Sequence, residues 1–276
     1  MRPLPTDVPD VLSTVKHRPW PLPKRPWTMT QRWNDLLFAH WPLPPSEIAH
    51  LLPPGLVVDT FDGSAWLGVV PFWMDRVRMH GVPSVPGANR FPELNLRTYV
   101  REEGTNLAGV YFFSLDAANP LAVSIARLFF HLPYYWSHMD LREQEGGRFV
   151  YESERHLTKR PVRFCAEYRS LGPTRALAQS TPGTIEYFLT ERYRLYTSGK
   201  KGRLLQGDIH HVPWPLEAAE AEFKANDLPA AHGLHLPDTP PLLFYARELV
   251  VYLWSLEPTR ALKALRARPA LSAEPL

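Results

Sequence analysis

The chain has 276 residues, 45% of them hydrophobic, which is enough apolar material for one large domain or two small ones. Its net charge is +3 and its pI about 9.0, but the basic residues are interspersed with acids, as in Thr190–Arg203, so no basic face suited to nucleic acid is written into it. A single cysteine, Cys165, excludes an internal disulfide and a cysteine-rich zinc site, and no apolar run reaches the roughly 20 residues of a membrane-spanning helix.

Residues 1–29 are proline-rich and lack the apolar core of a signal peptide, so a soluble cytoplasmic protein is the expectation. This arm either hangs loose or wraps over the body through Trp20 and Trp27. One domain is predicted over 30–260, followed by a tail at 261–276. Residues 31–43 read as a strand, and 44–56 as a short helix with Ser46 as a possible N-cap and Pro53-Pro54-Gly55 as its stop. Residues 55–79 read as a hairpin turning at Asp62-Gly63, and 93–116 as a second, turning near Glu103–Asn106. A central helix is predicted over 119–130, capped by Asn119 with Pro120 at its first position. Strands follow at 148–156 and 162–170, then a short helix from Thr181 that passes into a strand near Tyr193. Late strands at 202–214 and 241–254 flank a short helix near 216–225. No long-period repeat is present and hairpins outnumber helices. The fold class is therefore α+β, mainly antiparallel β, closed as a barrel with a few packed helices.

Strand side chains alternate between faces. In the segment "FPELNLRTYV", Glu93, Asn95, Arg97 and Tyr99 share one face and Leu94, Leu96, Thr98 and Val100 the other. The polar row is either a solvated outer face or the lining of a cavity. The next strand puts Tyr111, Phe113 and Leu115 on one face and Val110, Phe112, Ser114 and Asp116 on the other, so both faces are largely apolar. A strand buried on both sides there would turn the polar row inward. Residues i and i+4 of a strand lie about 13 Å apart, so Glu93 and Arg97 need other partners or a ligand. Arg127 is the lone cation of the helix at 120–130; it is either exposed or reaches an acid such as Glu93 or Asp116. Arg192 is either a further inward cation or part of a surface ion-pair face. Cys165 reads as a small core residue. His210 and His211 alternate on a strand, and no histidine spacing supports a metal.

The segments "LLPPGLVVDTFDGSAWLGVVPF", "ELNLRTYV", "GVYFFSLDA", "ARLFFHLPYY", "LTERYRLY" and "IHHVPWPL" together resemble the YqjF-like family of uncharacterised bacterial proteins. That family lies within the acetoacetate decarboxylase-like superfamily, and the resemblance covers about residues 30–256. It implies a cone-shaped, mainly antiparallel barrel around an enclosed pocket, with the helix 120–130 beside it. In the decarboxylases the matching loop reads Pro-Lys-Lys, and the first lysine forms a Schiff base once an apolar pocket and an adjacent cation lower its pKa. This chain keeps Arg127 and Pro133 but places Tyr134 and Tyr135 at the two lysine positions. It also has Leu128 for a glutamate and His131 for a glycine. A phenol forms no imine, and Lys159 and Lys200-Lys201 sit in loop-like sequence, so Schiff-base decarboxylation is not expected.

The resemblance and the polar row together nominate Glu93, Arg97, Asp116, Arg127, Tyr134 and Tyr135 as ligand-binding residues. Glu93, Arg97, Arg127 and Tyr134 are the candidates for any catalysis, with no cofactor and no metal. The expected partner is a small, partly apolar molecule carrying a carbonyl or carboxylate, and homo-oligomerisation is compatible with the resemblance. The alternative is a non-catalytic structural or interaction protein in which the same residues form a satisfied network.

Overall fold

The computed structural model describes residues 11–82, 90–120, 123, 131–174, 177, 181–199 and 202–259. In chain order these form β1 (Met29–Leu43), α1 (Pro45–Ala49), β2 (Leu56–Val58), β3 (Ala65–Met79), β4 (Phe91–Glu102), β5 (Ala108–Ala117), β6 (Tyr134–Glu143), β7 (Arg148–Arg155), β8 (Arg163–Gly172), α2 (Ile185–Thr190), β9 (Arg194–Ser198), β10 (Leu204–His210), β11 (Leu216–Asn226), β12 (Leu242–Leu253) and β13 (Glu257–Pro258).

Pairing runs β5-β6-β7-β8-β11-β12-β1-β3-β4 and returns to β5, which closes a nine-stranded barrel. A second circuit leaves β5 through β9 and β10 and rejoins at β12. Strands β12, β1, β3, β4 and β5 are therefore a shared wall with an apolar layer on each side. Leu37, Ala39, Leu67, Val69, Leu94 and Leu96 pack with Tyr151 and Phe164 of β7 and β8. Leu36, Phe38, Val70 and Phe72 pack instead with Leu189, Leu195, Ile209 and Trp214 on the side of α2, β9 and β10. Burial on both faces is why the wall strands carry long apolar runs rather than strict alternation. All pairings are antiparallel except β5 with β6 and β5 with β9.

Local chemistry explains several departures from the sequence reading. Helix α1 begins with Pro45 at its first position and Pro44 before it, so Ser46 is inside the helix and caps nothing. The turn at Asp62-Gly63 closes only the single bridge Phe61–Ser64, and β2 pairs with β4 rather than with β3. The stretch around 216–225 is a strand, although its alanine and glutamate content favours helix. Ala219, Ala221 and Phe223 recur every second residue against the barrel core, and pairing with β8 and β12 overrides propensity. Cys165 is half-exposed on β8 rather than in the core, and burial raises its thiol pKa. Asn119 accepts the backbone N–H of Val123 at 3.0 Å, so a helical turn begins at Pro120 as expected. Arg127 and most of that helix lie outside the described residues.

The arm from residue 11 onward packs on the body. Arg18 donates to the Ile209 carbonyl at 2.6 Å and stacks over Tyr193, His17 bonds the His211 carbonyl at 2.8 Å, and Trp20 donates to Asp208 at 3.2 Å. His210 bonds the Val11 carbonyl at 2.6 Å. Trp27 meets His80 and Tyr252 edge-on.

Candidate functional site

The alternation predicted for β4 holds. Leu94 and Leu96 face the barrel core, while Tyr99 joins the layer next to β9 and β10. Glu93, Asn95, Arg97 and Tyr99 are 3%, 5%, 8% and 0% exposed, which removes the solvated-face reading.

At the Glu93 end, the Tyr134 hydroxyl donates to Glu93 Oε2 at 2.8 Å, and Asn95 hydrogen-bonds the same carboxyl. The Tyr151 hydroxyl donates to the Glu93 carbonyl at 2.8 Å and fixes the backbone there. Burial pushes the Glu93 carboxyl up to about 8, against the lowering effect of these two bonds, and the charge of Asp116 adds to the rise. The Tyr134 phenol is held well above its ordinary range by burial and then by Glu93. At neutral pH this end of the row is a pair of neutral O–H groups.

At the Arg97 end, the guanidinium lies 5.4 Å from the centre of the Phe38 ring and 5.7 Å from that of Tyr99. Its Nη2 makes long bonds to the Tyr99 hydroxyl, 3.3 Å, and to the Leu189 carbonyl, 3.4 Å, while Nε–H has no acceptor. Tyr99 lies 2.6 Å from His40 Nε2. Burial, then Arg97, holds the His40 pKa well below the usual range, so the ring is neutral. Gly68 pairs with both His40 and Arg97 in the strand register. A Cβ there would come within 3.1 Å of the imidazole and 3.4 Å of Arg97 Cγ, so the missing side chain lets the two converge. Arg192 also points inward, over Tyr99 and Phe188, and is paired with Asp59 at 2.7 Å.

Asp116 and Tyr135 belong to a different cluster. Across β5 and β4, Leu96 pairs with Ser114 and Arg97 with Phe112, so Phe113 is a bulged residue. The bulge shifts the alternation: Leu115 returns to the layer of Phe112, while Ser114 and Asp116 turn away from it. Arg155 of β7 meets them there, with Nε donating to Asp116 Oδ2 at 2.8 Å and Nη2 to Oδ1 at 2.9 Å. Nη2 also donates to Ser114 Oγ at 2.5 Å, and Ser137 donates to Asp116 Oδ2 at 3.1 Å. Tyr134 and Tyr135 open β6, so as strand neighbours they point to opposite faces. Tyr134 reaches Glu93, and Tyr135 covers Arg155 at 4.0 Å. The structure thus joins Glu93 to Tyr134 and Asp116 to Tyr135, and leaves Arg97 at the far end of the row.

Three contributors were missed in the sequence: His40, Arg155 and Trp214. Period-two reading of β1 places His40 with Leu36 and Phe38, and of β7 places Arg155 with Phe149, Tyr151 and Ser153, so both were within reach of the same argument. Trp214 lies after β10, where no periodicity locates it. The described lysines, Lys16, Lys24, Lys159 and Lys224, are all exposed. An open cleft of about 470 Å³ between Asp35, Glu143, Glu217 and Arg247 contains none of the nominated residues.

Comparison with known proteins agrees with this geometry at the level of fold and family. The chain is 46% identical over 230 residues to the uncharacterized protein YqjF of Bacillus subtilis (strain 168), a match covering 83% of this chain and 92% of the relative. An acetoacetate decarboxylase-like enzyme from Sphingomonas wittichii RW1 superposes with a TM-score of 0.57 at 12% identity, over 85% of this chain and 94% of that one. The enduracididine biosynthesis enzyme MppR, in its complex with pyruvate, superposes with a TM-score of 0.57 at 13% identity, over 85% of this chain and 91% of that one. These structures establish the acetoacetate decarboxylase-like fold. With residues 30–250 matching the DUF2071 model, described as an uncharacterized conserved protein, the chain belongs to that family.

Proposed function

We propose that the face carrying Glu93, Asn95 and Arg97 receives a small carbonyl- or carboxylate-bearing compound, held by hydrogen bonds and charge rather than through an imine. The observation that carries this reading is the buried Glu93–Tyr134 pair, 2.8 Å apart, at one end of a polar row sealed among aromatic side chains. With the Tyr134 hydrogen given to Glu93 Oε2, the carboxyl's own O–H is the donor offered to a carbonyl oxygen, and a carboxyl that is still protonated near pH 7 is able to polarise one. Support for the non-imine mode comes from the tyrosines at the two lysine positions and from the exposure of every described lysine. MppR's complex with pyruvate, on the same fold, is in keeping with an oxo-acid ligand.

A purely structural network is the competing reading, and the Asp116–Arg155 cluster fits it, since both carboxylate oxygens are bonded and Nε and Nη2 of the guanidinium each have an acceptor. The Glu93–Arg97 row differs, because Asn95 Oδ1 and Arg97 Nε have no partner.

The test uses 4-oxopentanoate with the full-length protein. Calorimetry is expected to register binding, and Tyr134→Phe to weaken it by roughly tenfold, the worth of one hydrogen bond. Sodium borohydride added to the mixture is expected to leave the intact mass unchanged. A reduced adduct on any lysine contradicts the non-imine reading, and an affinity untouched by Tyr134→Phe removes the Glu93–Tyr134 pair from recognition.

A further inference from the structure

Three buried donor groups without acceptors surround one ring. Phe38 carries Arg97 over it at 5.4 Å, meets Trp214 edge-on at 4.9 Å between ring centres, and stacks with His40 at 6.1 Å. Arg97, Trp214 and His40 are 8%, 7% and 0% exposed, and Arg97 Nε, Trp214 Nε1 and His40 Nδ1 each have no partner. The 2.6 Å contact between His40 Nε2 and the Tyr99 hydroxyl is compatible with either tautomer; since that hydroxyl already takes a bond from Arg97, we assign its own hydrogen to His40 Nε2, which leaves no phenol hydrogen unpaired. A neutral imidazole that accepts at Nε2 carries its hydrogen at Nδ1. All three unpaired atoms are therefore donors.

The charge is also one-sided. Arg192 has Asp59 as counter-ion, and Arg194 has Asp208. No carboxylate of the described residues forms an ion pair with Arg97, and Glu93 stands four residues away along the strand, about 13 Å by strand geometry. A buried guanidinium with no anion, next to two further unpaired donors, is an arrangement proteins avoid unless something fills it.

We infer that the missing partner is a carboxylate: the anionic end of the ligand sits against Arg97 Nε, His40 Nδ1 and Trp214 Nε1. A carboxylate has two oxygens and four acceptor sites, enough for three donors. One uncompensated guanidinium matches a monoanion. The surrounding Phe38, Phe188, Leu189 and Phe244 make the desolvation of a phosphate dianion costly and welcome an apolar body. This rests on the reading above and deepens it. The carbonyl end faces Glu93 and Tyr134, the carboxylate end faces Arg97, and the free Asn95 Oδ1 between them is placed for an N–H or O–H donor on the ligand.

The experiment compares 4-oxopentanoate, its uncharged amide and inorganic phosphate by calorimetry and thermal shift on the full-length protein, the Arg97→Gln variant and the Trp214→Phe variant. The acid is expected to bind, the amide to bind at least a hundredfold more weakly, and phosphate to leave the melting temperature unchanged. Arg97→Gln is expected to lose the acid's binding while melting no lower than the parent, because the charge it removes has no counter-ion. Trp214→Phe keeps the ring, removes one donor and is expected to weaken the acid severalfold. Equal binding of acid and amide, acid binding unchanged in both variants, or a phosphate shift as large as the acid's overturns the carboxylate assignment while leaving the small-molecule reading intact. Failure of both acid and amide to bind overturns the two together.

Discussion

Replacing Asp116 by alanine is expected to lower folding stability by on the order of 3–5 kcal/mol, measured by urea denaturation. Arg155 is then left among Ser114, Ser137 and the Tyr135 ring with its charge uncompensated. Its side chain is 3% exposed, so water does not replace the lost carboxylate. The pair also ties β5 to β7 through both guanidinium bonds and to β6 through Ser137, at the point where β5 and β6 run parallel for three residues. A loss of that size is a large fraction of the 5–15 kcal/mol typical of a native domain. The double variant Asp116→Leu/Arg155→Met is expected to recover much of it, since an apolar pair replaces the ion pair without leaving a charge behind. If Asp116→Ala costs under 1 kcal/mol, the cluster is not the satisfied structural pair described here.

Glu93 is expected to make the protein less stable as pH rises from 6.5 to 8. Its folded-state pKa, about 8, lies above the unfolded value of 4.5, so the native protein holds a proton that the unfolded chain releases. Stability is fully present below the unfolded pKa and is lost as pH climbs toward the folded one. Across 6.5–8 this amounts to roughly 2 kcal/mol at 1.36 kcal/mol per unit. His40, His210, His211 and His232 act in the opposite direction, because burial lowers each of them, the last three to about 4. Their contribution grows with pH and runs on to about a unit above the unfolded value of 6.5, where the unfolded imidazoles finish losing their protons, so the Glu93 part is read as the difference between the parent and a variant that cannot ionise at 93. Glu93→Gln keeps the shape, cannot ionise, and is expected to lose the falling component, so that its curve pulls away above the parent's by roughly 2 kcal/mol between pH 6.5 and 8. Parallel curves for parent and variant would show that the carboxyl does not titrate there.

The sequence made the polar row legible because β4 obeys strict period two, so Glu93, Asn95, Arg97 and Tyr99 could be assigned to one face without coordinates. It misassigned Asp116 because the bulge at Phe113 shifts that periodicity by one, and no residue type announces a bulge of this kind. Tyr134 and Tyr135 are both nominated as ligand-binding residues, but they open a strand absent from the sequence reading, which turns them to opposite faces. The barrel and family were readable from hairpins and motif segments, whereas the strand at 216–226 was hidden by helix-favouring alanines and glutamates that only pairing with β8 and β12 overrides. Trp214 reaches Phe38 through the second circuit, a long-range closure that local pattern does not contain, whereas His40 stands two residues from Phe38 on β1.

A crystal structure of the protein soaked with 4-oxopentanoate tests the central claim most directly. The account predicts non-covalent density along the Glu93–Tyr99 face of β4, with the ketone oxygen accepting from Glu93 beside Tyr134 and the carboxylate against Arg97. Density continuous with a lysine Nζ, or an interior closed by side chains with no ligand at saturating concentration, would contradict it.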